Sequence, residues 1–190
     1  MRSLDTQLDL PQGWFLPEEG RWYAARAAEA GAGVVVEVGC WKGRSTSFVA
    51  PVCRDNGAAL WCVDSWRGSR DAYAEDYARL LAEEDVRAAF ERNMAAIGCA
   101  PTVLAMDSLA AARSFASGSV DLVFIDASHD EESVLANLEA WAPALRPGGL
   151  LAGHDLSEKT PGVERGVERF CSARGLNWRR GPARLWHLQS

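Results

Sequence analysis

The sequence has few cysteines and none of the spacings that characterise zinc-binding or disulfide-rich domains. Its five cysteines are scattered along the chain without a Cys-x-x-Cys pair. Several of them lie in apolar stretches, where a free cysteine behaves as a small buried hydrophobic residue. We therefore expect a protein of the reducing cytoplasm rather than a secreted disulfide scaffold.

Long apolar runs and clusters of positive charge are also absent. No apolar run approaches the roughly 20 residues that a membrane-spanning helix needs, and the N-terminus lacks a basic-then-apolar signal pattern. The net charge is −6 and no group of Lys and Arg gathers on one predicted element, which disfavours nucleic acid as a partner. With 190 residues and 48% hydrophobic content, residues 1–190 are expected to form one domain.

Two common nucleotide-binding patterns are missing as well. The chain contains neither Gly-x-x-x-x-Gly-Lys-Ser/Thr, which cradles phosphates, nor Gly-x-Gly-x-x-Gly, which binds dinucleotides. It has instead a valine-rich run at 34–38 that leads into Gly39 and Gly43. β-Branched residues suit a strand covered on both faces, and glycines allow a sharp turn close to a ligand. The pattern predicts a strand, a ligand-binding loop and a helix capped by Ser45 and Thr46.

Apolar strand-like runs alternate with amphipathic helical ones along the chain. This alternation is typical of a parallel sheet with helices on both faces. The predicted strands are 34–38, 59–63, 102–105, 120–125 and 150–152, followed by a closing hairpin of 177–180 and 184–188. The predicted helices include an N-terminal helical segment within residues 1–30, then 44–53, 85–97, 108–115 and 131–144. Residues 65–81 are polar, aromatic and irregular, as expected of a lid, and are called the lid below.

Polar side chains lie at the carboxyl ends of five successive predicted strands. In open α/β sheets, ligands bind outside the carboxyl ends of the strands, so these side chains are expected to share one crevice. They are Glu37 with Gly39, Asp64, Asp107 with Ser108, Asp126 with His129, and His154 with Asp155. Asp64 follows the glycines at the spacing expected of an acid that binds a ribose diol, and Glu37 favours a positively charged ligand over a pyrophosphate. Asp107 is equally well explained as a helix cap.

Together these motifs resemble those of the class I S-adenosylmethionine-dependent methyltransferases. The resemblance covers nearly the whole chain and rests on Glu37-Val-Gly-Cys-Trp-Lys-Gly-Arg-Ser45, Cys62-Val-Asp64, Met106-Asp-Ser108, Phe124-Ile-Asp-Ala-Ser-His129 and Arg146-Pro-Gly-Gly149. It implies a Rossmann-like three-layer α/β sandwich with a mostly parallel seven-stranded sheet and an antiparallel C-terminal strand. The segments Ile-Asp-Ala-Ser-His and Leu-Ala-Gly-His-Asp are further similar to small metal-dependent O-methyltransferases of the catechol and macrolide-sugar type.

The resemblance also implies roles for the strand-end residues. Those implied for S-adenosylmethionine, from the methionine end to the adenine, are Glu37, Gly39, Gly43, Asp64, Asp107 and Ser108, with Trp41, Ser45, Ser65, Trp66 and Asp126 beside them. Asp126, His154 and Asp155 would hold Mg²⁺ or Mn²⁺, with His154 standing where the family usually has Asp or Asn. His129 and Asp126 are the catalytic candidates, because a histidine at the crevice mouth can act as a general base. The alternative for His129 is a cap on the helix that follows it.

We therefore expect an S-adenosylmethionine-dependent O-methyltransferase that acts, with a divalent metal, on a hydroxyl of a sugar, a phenol or a polyketide-type natural product of secondary metabolism. Trp14 and the lid are expected to wall the acceptor pocket. The alternatives are methylation of nucleic acid, an NAD-type dehydrogenase, and a cofactor-binding protein without catalysis. The acidic charge disfavours the first, and the missing third glycine disfavours the second. A homodimer is also among the expected assemblies.

Overall fold

A single mixed sheet organises the computed structural model of this protein, which describes residues 10–69 and 71–189. Residues 1–9 of the predicted N-terminal segment and position 70 of the lid lie outside the described residues. The strands are β1 (Val34–Val38), β2 (Ala59–Val63), β3 (Thr102–Leu104), β4 (Val120–Ile125), β5 (Leu145–Gly153), β6 (Asn177–Arg180) and β7 (Trp186–Gln189). Their order is β3-β2-β1-β4-β5-β7-β6; β1 to β5 pair in parallel, and β7 runs antiparallel to both neighbours. The predicted fold is confirmed.

Helices cover both faces of the sheet because both faces of the central strands are apolar. The helices are α1 (Pro17–Glu29), α2 (Thr46–Asn56), α3 (Ala74–Glu83), α4 (Val86–Ala96), α5 (Ser108–Ala112), α6 (Glu131–Trp141) and α7 (Pro161–Arg174). Tyr23, Val49 and Phe90 of α1, α2 and α4 pack in one buried cluster. Trp141 and Phe170 of α6 and α7 pack in a second cluster on the opposite face. Among the described residues, no helix is long and apolar enough to cross a bilayer.

The strand register brings the predicted site residues to one edge. Val38 is paired with both Val63 and Ile125, and Ile125 is paired with Gly153, so β1, β2, β4 and β5 end at the same level. The residues that come next are therefore neighbours, and we call the space that they border the strand-end crevice. Parallel sheets of this kind place their ligand sites at this edge.

Several predicted boundaries differ from the structure, three of them near the crevice or in β5. The helix α2 begins at Thr46 rather than at 44, and the lid contains most of α3, which the sequence did not predict. The strand predicted at 150–152 is longer in the structure, where β5 begins at Leu145 and includes Pro147 and the two glycines that follow it. The pairing of β5 with β4 shifts register between Val120 and Leu122, and this irregularity accommodates the proline and glycines inside a strand.

Candidate active site

A glycine loop after β1 forms the floor of the strand-end crevice. Gly39 has φ +87°, and a β-carbon there would overlap the backbone carbonyl oxygen of Asp126. Gly43 has φ +85°, and a β-carbon there would lie 2.8 Å from Cε of Met94. Only glycine combines the positive φ with such a close approach. Gly39 therefore allows the loop to lie directly against the end of β4, and Gly43 allows it to pack against Met94 and Phe90 of α4.

Asp64 holds this loop in place. Its Oδ2 accepts hydrogen bonds from the backbone amides of Cys40 and Trp41, both at 2.9 Å, and its Oδ1 accepts one from the amide of Trp66 at 2.7 Å. Trp41 and Trp66 have φ values of +47° and +49°, and the indole of Trp66 donates to the carbonyl of Trp41 at 3.0 Å. A carboxylate can accept about four hydrogen bonds, so one direction is still open for a ribose hydroxyl. Ser65 lies between Asp64 and Trp66 in the sequence, and its hydroxyl accepts a hydrogen bond from the backbone amide of Arg67 at 3.3 Å.

Glu37 lies beneath the loop and is fully buried. The hydroxyl of Ser45 donates to its Oε1, so the prediction that Ser45 caps α2 is wrong: the buried carboxyl takes the hydroxyl, and Ser45 makes no capping bond. Burial, together with the nearby Asp126 and Asp64 charges, raises the pKa of Glu37 to about 8 despite the Ser45 hydrogen bond. Glu37 is therefore mostly neutral near pH 7 and supports the loop from within.

The two residues assigned to the adenine have structural partners. Asp107 caps α5, accepting from the amides of Leu109 at 3.0 Å and Ala110 at 3.2 Å. Ser108 donates to the side-chain oxygen of Asn137 and accepts from the indole of Trp141 at 2.9 Å. The helix-cap explanation of Asp107 is thus correct. A ligand contact at this end of the crevice stays a prediction.

On the other side of the crevice, Asp126, His154 and Asp155 form an acid–histidine cluster. Their candidate ligand atoms lie within 4.8 Å of one another, and His154 Nδ1 is 3.3 Å from both Asp126 Oδ1 and Asp155 Oδ1. The His154 side chain is 2% exposed, and neither ring nitrogen makes a well-aligned hydrogen bond with any residue in the described ranges. Two carboxylates around an orphaned imidazole nitrogen fit the donor set of a divalent cation.

The backbone at Asp155 indicates that this cluster is held under strain. Asp155 has φ +62°, a left-handed conformation that few non-glycine residues adopt and that costs about 1–3 kcal/mol. The turn aims its carboxylate between His129 and His154. Such outliers concentrate at functional sites.

The charges of the cluster explain its pKa values. Burial works against a charged imidazole, but Asp126, Asp155 and Glu19 raise the pKa of His154 to about 11. Burial raises the pKa of Asp126, whereas contacts with His129 and His154 hold the pKa of Asp155 far below its usual range in spite of burial. The acids around His154 therefore favour a positive charge at this position, which a proton on the imidazole or a bound cation would supply.

His129 lies beside the cluster and is clamped by two carboxylates. Its Nδ1 is 2.7 Å from Asp71 Oδ2, which also accepts from the His129 backbone amide at 2.9 Å, and its Nε2 is 3.0 Å from Asp155 Oδ2. Burial lowers the pKa of His129, but Asp155 and Asp71 raise it to about 9. Asp130, not His129, caps α6, by accepting from the amide of Ser133 at 2.9 Å. The helix-cap alternative for His129 is therefore wrong.

Sequence reasoning missed two carboxylates of this site. Asp71 belongs to the lid. Its side chain is only 4% exposed and lies in contact with His129. Glu19 belongs to α1, is fully buried, and places Oε1 3.1 Å from His154 Nε2. Neither follows a strand, so the rule that finds ligands at strand ends cannot find them. The amphipathic start of α1 and the acids of the lid gave no signal that pointed to the crevice.

The lid covers the crevice with aromatic rings. Tyr77 lies 5.1 Å from Trp41 and 5.8 Å from Trp14, measured between ring centroids, and Trp14 and Trp41 are 5.9 Å apart. Tyr73 packs edge-on against His129 at 5.2 Å and donates its hydroxyl to the carbonyl of Lys159 at 3.3 Å. The cavity next to His129 holds only about 10 Å³ in this arrangement. Through Tyr73 and Tyr77, the lid contacts both His129 and the glycine loop.

Solved structures with the same fold include several methyltransferases. Cofactor-bound Rv0187 from MTB is 19% identical, with a TM-score of 0.68 over 95% of this chain and 83% of that chain. The O-methyltransferase from Bacillus cereus in complex with SAH is 20% identical, with a TM-score of 0.62 over 95% and 84%. CalS11, a TDP-rhamnose 3′-O-methyltransferase of calicheamicin biosynthesis, is 20% identical, with a TM-score of 0.58 over 92% and 81%. These similarities show a shared fold.

The protein family of this chain follows from a match to its sequence. A family model described as a methyltransferase domain matches residues 36–156, which is more than half of the chain. The matched span begins in β1 and ends one residue after Asp155, so it contains the glycine loop, Asp64, His129 and the acid–histidine cluster. The chain therefore belongs to this methyltransferase family and is a class I S-adenosylmethionine-dependent methyltransferase.

Proposed function

We propose that the enzyme transfers the methyl group of S-adenosylmethionine to a hydroxyl of a small molecule, a sugar, a phenol or a polyketide-type natural product, and that Mg²⁺ or Mn²⁺ assists. The observation that carries the proposal is the position of His129 next to the acid–histidine cluster. A histidine and two carboxylates at one edge of the crevice suit the removal of a proton from a hydroxyl. The family membership excludes the dehydrogenase alternative.

The chemistry is a displacement in line with the sulfur–methyl bond. The acceptor oxygen forms a bond to the methyl carbon, the carbon–sulfur bond breaks, and its electron pair stays on sulfur, which becomes a neutral thioether. The hydroxyl proton passes to His129. Alignment of the two reactants supplies much of the rate enhancement, so the reaction needs no covalent intermediate with the enzyme.

Asp71 prepares His129 for this role. Carboxylates lie at both ring nitrogens, Asp71 at Nδ1 and Asp155 at Nε2. If a bound cation engaged the Asp155 carboxylate, Asp71 would favour the tautomer with the proton on Nδ1, and Nε2 would be the acceptor of the substrate proton. A bound cation would supply Lewis-acid stabilisation of the substrate oxygen, and Asp126, His154 and Asp155 would hold it. Of the two carboxylates that raise the pKa of His129, Asp155 has the larger effect. A cation bound to Asp155 would offset that charge and lower the pKa of His129 from about 9 toward the neutral range.

The acceptor class is supported by the aromatic surface and by one structural neighbour. Flat rings such as Trp14 and Tyr77 suit the face of a sugar or a phenol. CalS11 acts on a sugar hydroxyl, as its name states. The acidic charge of the chain disfavours nucleic acid, which stays a prediction.

An acceptor screen with labelled methyl donor tests the proposal. Sugar nucleotides, catechols, polyketide alcohols and RNA would be offered with Mg²⁺, with Mn²⁺ and after chelation. We expect label on the oxygen of a small molecule, located by the carbon shift of the new methyl group, and loss of turnover on chelation. Methylation of RNA alone would contradict the acceptor class. Full turnover after chelation would contradict the metal.

A further inference from the structure

A carboxylate from outside the strand ends contacts the acid–histidine cluster. Glu19 lies on the first turn of α1 and is fully buried. Its Oε1 is 3.1 Å from Nε2 of His154, and its Oε2 accepts a hydrogen bond from the amide of Leu16 at 2.6 Å. The other ring nitrogen of His154 faces Asp126 and Asp155. His154 thus stands between Glu19 on one side and the two candidate ligands on the other.

The Glu19 carboxylate is fixed in this orientation. Arg184 donates to it from its backbone amide at 3.1 Å, from Nε at 3.2 Å and from Nη2 at 3.2 Å. The ring of Phe15 lies 4.8 Å from the His154 ring and limits its rotation.

We propose that Glu19 is a positioning residue that holds His154 in the tautomer with the proton on Nε2, so that unprotonated Nδ1 faces Asp126 and Asp155 as a third metal ligand. A histidine that binds a metal commonly donates its other ring N–H to a carboxylate, which fixes the tautomer and raises the basicity of the ligand nitrogen. The inference rests on the metal of the proposed function.

The two residues that contact and fix this side of His154 lie outside the part of the chain that matches the family model. Glu19 and Arg184 lie before and after residues 36–156, so α1 and the segment before β7 complete the site from both ends of the chain. An imidazole in place of an oxygen ligand favours later divalent metals over Mg²⁺. We therefore expect tighter binding of Mn²⁺ and Co²⁺ than of Mg²⁺.

The test measures metal binding without cofactor or acceptor. Mn²⁺ affinity would be measured by electron paramagnetic resonance and calorimetry, and Co²⁺ absorption would report the nitrogen ligand. We expect Glu19→Gln to weaken Mn²⁺ binding roughly 10- to 100-fold, as for other partners of ligating histidines. Glu18→Gln is the matched control. Glu18 is the exposed neighbour of Glu19 on α1, and the substitution removes the same charge without touching His154. It should bind Mn²⁺ like the wild type.

A second variant background distinguishes two roles of Glu19, the orientation of His154 and a simple electrostatic attraction for the metal. In His154→Asp there is no imidazole to orient, so adding Glu19→Gln should not weaken Mn²⁺ binding further. An equal loss in both backgrounds would overturn the inference and assign Glu19 a purely electrostatic role. Equal Mn²⁺ affinity of wild type and Glu19→Gln would leave Glu19 as a structural partner of Leu16 and Arg184 only.

A measurement on the unmutated protein covers the case in which Glu19→Gln does not fold. Long-range ¹H–¹⁵N spectra of the Mg²⁺-loaded enzyme should show His154 with a protonated Nε2 and an unprotonated Nδ1. A proton on Nδ1 in the loaded enzyme would overturn the inference. Failure of the wild type to bind Mn²⁺, Co²⁺ or Mg²⁺ would instead refute the metal of the proposed function, and the inference with it.

Discussion

The two halves of the strand-end crevice are built differently. On the side of β1 to β3, the carboxyl groups mainly accept hydrogen bonds from the chain itself: Asp64 accepts three from backbone amides, Asp107 accepts two, and Oε1 of Glu37 accepts one from Ser45, although the buried Oε2 of Glu37 has no partner in the described ranges. On the side of β4 and β5, Asp126, His129, His154 and Asp155 face one another, and the His154 nitrogens lack well-aligned partners within the described ranges. The first half is preorganised without a ligand, whereas the second gathers charges that a ligand can use.

The strongest test of this difference is His129→Ala. Removal of the proton acceptor should lower kcat roughly 10²- to 10⁴-fold. Affinity for the demethylated cofactor, measured by calorimetry, should stay within a factor of about two, because that affinity depends on the other half of the crevice. His187→Gln is the control, since His187 lies in β7 and packs near Trp22. Parallel loss of cofactor affinity and rate would show that the halves are not independent.

Glu37 allows a test of the preorganised half through pH. The unfolded chain releases this proton above a pKa of 4.5, whereas the folded protein keeps it up to about pH 8. Between these values the unfolded state binds fewer protons, so the stability falls as the pH rises, by at most about 5 kcal/mol. In Glu37→Gln this contribution is absent. Urea unfolding at pH 5 and pH 8 should show a smaller loss of stability in the variant than in the wild type.

An unchanged pH dependence in Glu37→Gln would mean that the carboxyl is ionised in the folded protein. Ser45→Ala is a useful companion, because the hydroxyl stabilises the charged carboxylate. Its removal should steepen the fall in stability. The two variants therefore move the pH slope in opposite directions.

Asp64 has two expected roles in the β1 to β3 half of the crevice: it is the predicted partner of the cofactor ribose, and it holds the glycine loop in place. Asp64→Ala should weaken cofactor binding by about 1.5–3 kcal/mol, as for hydrogen bonds to a charged group. Because three amides also lose their acceptor, the melting temperature should fall as well. Asp64→Asn keeps an acceptor of the same shape and should lose less of both. Calorimetry with unchanged affinity in Asp64→Ala would refute the ribose assignment.

The same division explains what the sequence could predict. The strands β1 and β2 match their predicted bounds because runs such as 34–38 and 59–63 are apolar and end at turn residues. The strand-end rule then located the acids of both halves. Glu19 and Asp71 were not found, because their roles depend on contacts between segments far apart in the chain, with His154 and His129 respectively. Local patterns carry no information about such pairs.

Helix α3 shows a related limit. Its first turn carries Glu75 and Asp76, and every residue of the helix keeps some exposure, so it lacks the buried stripe that marks a core helix. The helix is stabilised by the lid's contacts with the crevice, including Tyr77 against Trp41.

Asp71→Asn is the mildest test of the charged half, and it asks whether the lid contributes to catalysis as well as covering the site. The amide still fills the space beside His129 but withdraws the charge that favours a proton on Nδ1. We expect kcat to fall roughly 10-fold with little change in KM for the methyl donor, because the variant affects the proton acceptor and not the glycine loop. Asp76→Asn, an exposed acid of α3 that faces Arg79, is the matched control. If Asp71→Asn raised KM for the acceptor and left kcat unchanged, the contact would serve lid closure alone, and His129 would be oriented by Asp155 instead.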